Sequence, residues 1–126
     1  MLFRHLRLAL LWALLILALC LMPGQDLPQW RWADLLSLDK WVHAGLFAVL
    51  MVLLVLGLKR QYGPAWARSQ GLWTAAIVCI LYGVALELMQ GLMMQGRTAD
   101  ALDAAANTAG TLVGLVYLRR EMRSWT

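Results

Sequence analysis

The sequence predicts an all-α polytopic membrane protein: a four-helix transmembrane bundle with both termini in the cytoplasm. Three observations point there. Of 126 residues, 62% are hydrophobic and the mean hydropathy is +0.66, more than a soluble domain of this size can cover with polar surface. Runs without a charged residue occupy 8–25, 41–58 (interrupted only by His43), 69–86 and 104–118. Each is about the length that crosses a hydrocarbon core of about 30 Å. Charge is also segregated. If four helices alternate, Arg4, Arg7, Lys59, Arg60, Arg68, Arg119, Arg120 and Arg123 share one side with Glu121. Arg31, Lys40 and Arg97 fall on the other with Asp26, Asp34, Asp39, Glu87, Asp100 and Asp103. A basic excess marks the cytoplasmic side. That distribution explains the net charge of +4 without a nucleic-acid partner. A single membrane domain over 1–126 is expected, with helices at about 4–22, 39–58, 69–92 and 100–118.

The first run follows Arg4 and Arg7 and resembles a signal peptide, but no small-x-small cleavage site follows it. It reads as a retained signal anchor that ends at Pro23-Gly24. The segment 27–38 carries Trp30 and Trp32. Indole rings favour the headgroup zone, so this segment is expected to lie on the outer interface. The second helix opens at Asp39, which can cap its free N–H groups, and closes before Gly63-Pro64. A basic loop running to Arg68 is expected to face anionic headgroups. In the third helix Gly83, Glu87 and Gln90 share a stripe, with Gly83 permitting close approach of a neighbour. In the fourth, Asp103, Asn107, Gly110 and Gly114 follow one face, and Gly110 to Gly114 form a GxxxG packing motif. Cys20 and Cys79 sit in apolar runs without a CxxC pattern and read as small buried hydrophobes.

The depths of the polar residues define a site. At about 1.5 Å per residue, His43 lies about 5 Å along the second helix and Asn107 about 10 Å along the fourth. Glu87 lies about one and a half turns before the outer end of the third. Alternating helices therefore bring Asp39, Lys40, His43, Glu87, Gln90, Arg97, Asp100, Asp103 and Asn107 to one level, as a shallow pit in the outer leaflet. Ionisable groups at that depth are costly and by default mark function. Plainer readings exist: Asp39 and Asp100 as caps, Arg97 paired with Asp100 or Asp103 to hold a loop, Asn107 as an interhelical hydrogen bond. Glu87, inside a span without a basic neighbour in sequence, resists them most, followed by His43. Met89, Met93 and Met94 suggest a copper(I) site but read better as gap-filling apolar residues.

The order Asp39-Lys40-x-x-His43, Glu87-x-x-Gln90 and Arg97-x-x-Asp100-x-x-Asp103-x-x-x-Asn107-x-x-Gly110-x-x-x-Gly114 resembles the VanZ-like family over about 38–118. The resemblance implies a small multi-pass protein of the bacterial cytoplasmic (inner) membrane. The family's namesake is associated with resistance to the glycopeptide teicoplanin. It implies no particular reaction.

The favoured reading is a binding or envelope-modulating protein. Lys40 and Arg97 would contact phosphate or carboxylate on the polar head of an amphiphile, and the acids its amines or sugar hydroxyls. A lipid-linked cell-wall precursor or a glycopeptide-type compound has such a head. The alternative is a membrane enzyme acting on a lipid headgroup, with Glu87 and His43 as acid and base. In that reading Asp100 and Asp103 could hold a divalent metal completed by Glu87 and His43. No cofactor is required by the sequence. It contains no HExxH, phosphate-binding Gly loop or Ser-His-Asp spacing. The inner halves of the helices lack ionisable groups, which disfavours an ion pathway.

Overall fold

A computed structural model describes residues 2–21, 38–93 and 101–125. The expected interfacial segment with Trp30 and Trp32, the residues Met94, Arg97 and Asp100, and the side chains of Asp39 and Met93 lie outside the described residues. The described chain is all helical, with four principal helices: α1 (Arg7–Leu21), α2 (Leu38–Tyr62), α3 (Leu72–Met93) and α4 (Ala101–Glu121). A short turn, Leu2–His5, precedes α1, and a 3-10 turn, Met122–Ser124, follows α4.

The connection between α2 and α3 differs from the expected basic loop. Gly63 is the one residue between helical segments there: Pro64–Trp66 and a π-helical turn at Ala67–Gly71 run directly into α3. Gly63 has φ 93°, a conformation that a side chain disfavours, and Pro64 supplies the fixed φ suited to a first helical turn. The amide of Gly63 donates to the carbonyl of Lys59 (2.8 Å), and its own carbonyl accepts from Ala67 (3.1 Å). One helix thus ends and the next begins on a single residue. Lys59, Arg60 and Arg68 are helical, and α4 likewise carries Arg119 and Arg120 in its last turn.

Two helical stretches, Lys40–Tyr62 and Pro64–Leu92, are long and apolar enough to cross a membrane, and Arg7–Cys20 is apolar but shorter. Large aliphatic side chains stand exposed on all four helices, among them Leu11, Val42, Leu81 and Val113. Such a surface suits lipid better than water. This is a membrane-protein surface around an apolar centre of Ile16, Phe47, Met51, Val55, Leu72, Cys79, Leu86 and Leu118. Cys20 and Cys79 are buried free thiols.

The most extensive packing is between α2 and α4; α4 also lies against α3, and α1 against α2 and α3. Gly110 and Gly114 explain the first contact. A Cβ on Gly110 would overlap the carbonyl oxygen of Ala44, and one on Gly114 would come within 2.9 Å of Met51 Cβ and 3.0 Å of the Ala48 carbonyl oxygen. The partner of the GxxxG face is therefore α2 of the same chain.

Candidate functional site

Antiparallel order puts the start of α2, the end of α3 and the start of α4 at one end of the bundle. His43, Glu87, Asp103 and Asn107 each stand on the bundle-facing side of their helix at that end and are buried, at 5%, 5%, 7% and 1% exposure. Their spacing, one or two helical turns from the helix ends, lets polar atoms meet where the apolar packing stops. One donor atom from each of His43, Glu87 and Asp103 lies within 4.8 Å of the others. Three different helices contribute these atoms, so the cluster exists only in the folded bundle.

Two contacts fix its geometry. Asn107 Oδ1 lies 2.9 Å from His43 Nδ1. In the tautomer that carries a hydrogen on Nδ1, this contact is an N–H donating to the amide oxygen. Lys40 Nζ donates to Asp103 Oδ1 at 3.0 Å, closing an ion pair from the first turn of α2 to the first turn of α4. Both contacts join the helix pair that Gly110 and Gly114 already bring together. The close packing and the polar bonds support each other: side chains as short as Asn and Asp reach across because the helix axes are close.

The structure brings together Lys40, His43, Glu87, Asp103 and Asn107. Gly83 lies directly beneath, where an added Cβ would meet Asn107 Cβ at 3.1 Å and Phe47 at 3.3 Å. Gln90 shares the Gly83–Glu87 stripe and is buried, but its amide donates to the carbonyl of Cys20. It ties the end of α3 to the end of α1. Two further bonds of this kind were not anticipated: Tyr82 Oη donates to the Ala13 carbonyl (2.5 Å), and Trp12 Nε1 to the Leu46 carbonyl (2.9 Å). The signal was present, since Trp and Tyr carry polar groups that seek partners when buried in a span.

A model of the VanZ/LLP1 family matches residues 6–120. The chain belongs to the VanZ/LLP1 family. No curated protein and no solved structure matches it significantly. The family match covers all four principal helices of this VanZ/LLP1 chain nearly end to end.

Chemically, the VanZ/LLP1 cluster combines a buried imidazole, two buried carboxyl groups and a buried amide with a partly exposed ammonium. Such groups in an apolar protein cost stability unless paired, hydrated or ligated. The donor set can bind a cation through the carboxylates and the imidazole, or hydroxyl and amine groups through the same oxygens. The proximity of His43 and Glu87 also suits proton transfer.

Proposed function

We propose that this VanZ/LLP1 protein is a four-span bundle of the bacterial cytoplasmic membrane, with both termini cytoplasmic, that binds the polar head of an amphiphile at an outer-leaflet pit. The ligand class is a lipid-linked cell-wall precursor or a glycopeptide-type compound, and the expected consequence is glycopeptide resistance. The observation that carries this reading is the convergence of His43, Glu87, Asp103 and Asn107, all buried, at one end of an otherwise apolar bundle. The basic residues at the opposite end, Lys59, Arg60, Arg68, Arg119 and Arg120, support placing that end in the cytoplasm. Lys40 is the least buried member of the described cluster, with 24% of its side chain exposed. It is placed to meet an anionic head arriving from the membrane surface, with Arg97 as its expected companion.

Two measurements test the proposal. A reporter fused after Thr126 should read cytoplasmic, and an external signal would overturn the sidedness. In a glycopeptide-sensitive host, the full chain should protect, whereas Lys40→Met and Glu87→Gln at equal membrane abundance should protect less. Undiminished protection by both variants would sink the pit reading. The closeness of His43 and Glu87 favours the enzyme as a second reading. Turnover of a lipid-linked precursor by the purified chain, lost in Glu87→Gln, would replace binding with catalysis.

A further inference from the structure

We propose that His43, Glu87 and Asp103 form a binding site for one divalent transition-metal ion, of which zinc fits the donor set best. The proposal assigns an ion to the same cluster and does not depend on an amphiphile binding there. One imidazole nitrogen and two carboxylate oxygens make a mixed N/O set, which suits zinc better than the all-oxygen cages of calcium or magnesium. Zinc bonds of about 2.1 Å in a tetrahedral site put ligand atoms about 3.4 Å apart. The three donors already lie within 4.8 Å of one another, so they need draw together by about 1.4 Å at most to meet an ion at that spacing.

The surroundings have the features of a metal site. The contact between His43 Nδ1 and Asn107 Oδ1 holds the imidazole in place, as outer partners of metal-binding histidines do, and in the tautomer that donates through Nδ1 the other ring nitrogen is the one able to bind an ion. Lys40 engages Oδ1 of Asp103, and a carboxylate has a second oxygen with which to meet a metal. Three protein ligands leave one position open, the pattern of zinc sites that take water or an external ligand. An independent observation points to that fourth ligand. Asn107 Nδ2 is buried, on a residue 1% exposed, and has no hydrogen-bond partner among the described residues. It belongs to the same amide that holds His43, and it requires an acceptor oxygen close to the cluster. A water or an oxygen of an external ligand on the ion would supply one.

The test uses the full chain in phospholipid nanodiscs, purified with a tag that contains no histidine, stripped with chelator and titrated with zinc in the absence of any amphiphile. One zinc per chain is expected by calorimetry and metal analysis. His43→Gln and Glu87→Gln should weaken binding roughly 100-fold or more, and Asn107→Ala about 10–100-fold, the range of outer-partner losses. His5→Gln, which removes the chain's other histidine, should leave affinity unchanged. X-ray absorption at the zinc edge on the unmutated chain serves if a variant does not fold. It should show an imidazole among N/O ligands at about 2.0–2.2 Å. Substoichiometric uptake, unchanged affinity in folded His43→Gln and Glu87→Gln, or a sulfur shell at about 2.3 Å would each overturn the proposal. Zinc binding with unaltered glycopeptide sensitivity would instead count against the amphiphile reading alone.

Discussion

At the end of the bundle where α2 begins, the helices are joined by His43 to Asn107 and Lys40 to Asp103, contacts made largely out of solvent. At the Gly63 end the joining groups lie on the surface. Lys59 Nζ sits 4.1 Å from the centroid of Trp125, Arg68 donates to the Trp125 carbonyl at 2.7 Å, and Arg119 stacks 5.4 Å from Trp73. Tyr62 and Trp66 pack across the Gly63 turn with ring centroids 4.6 Å apart and planes tilted by 42°. The two ends place their polar groups at different cost. Cation–aromatic contacts near an interface let the charge keep part of its hydration. A carboxyl group and an imidazole buried between helices give theirs up. The contacts at the Gly63 end are of the kind that anchoring at an interface would use. The His43 end carries more burial cost than anchoring needs, which is why function is sought there.

The largest expected effect removes the support of the buried end. Gly110→Ala drives a methyl into the Ala44 carbonyl, backbone that cannot step aside, and should destabilise the bundle by about 3 kcal/mol or more, at the upper end of overpacking costs. Gly45→Ala is the built-in control. Nothing lies within 4 Å of a Cβ there, so stability should hold or rise by up to about 1 kcal/mol from helix propensity. Chemical unfolding in mild detergent, followed by circular dichroism, separates the two. Equal effects would show that the α2–α4 contact does not depend on its glycines.

A smaller effect tests the polar bond itself. Asn107→Ala leaves His43 Nδ1 without its partner and should cost about 1–2 kcal/mol, since an abandoned buried group loses its desolvation compensation. Interhelical bonds in membranes can be worth only about 0.6 kcal/mol. A loss near that figure would mean water replaces the amide. The smallest effect belongs to the Gly63 end. Trp125→Ala should cost about 0.5–1 kcal/mol and less at high salt, because the cations it meets are partly hydrated. If it costs more than Asn107→Ala, the contrast between the ends fails.

Much of this arrangement was legible in the sequence because lipid leaves few alternatives. Residues 41–58 and 69–86 are apolar for the length of a membrane crossing, and the helices formed there extend beyond both runs. His43, Glu87, Asp103 and Asn107 could be assigned a common level because helical rise converts residue number into depth. Rise says nothing about which side chains meet across helices. The pairing of Asp103 with Lys40, and the turn of Gln90 away towards Cys20, depend on how each helix is rotated against its neighbours. Gly63-Pro64 was readable as a helix end. That a new helix starts at once follows from the φ of one residue, which the sequence permits without requiring.

The attachment of α1 has a consequence for how that helix can vary. Tyr82 and Gln90 grip α1 through the carbonyls of Ala13 and Cys20, groups that every residue possesses. At those two points the neighbours recognise the main chain of α1, while its inward side chains, Ala9, Trp12, Ala13, Ile16, Leu17 and Cys20, are buried or pack against the core. The first helix is thus two-faced: its inward face is specific, while its outward leucines, such as Leu8, Leu11 and Leu15, stand exposed. Side-chain exchange should therefore be tolerated on that outward face better than where α2, α3 and α4 meet at Gly110, Gly114 and the shared polar cluster.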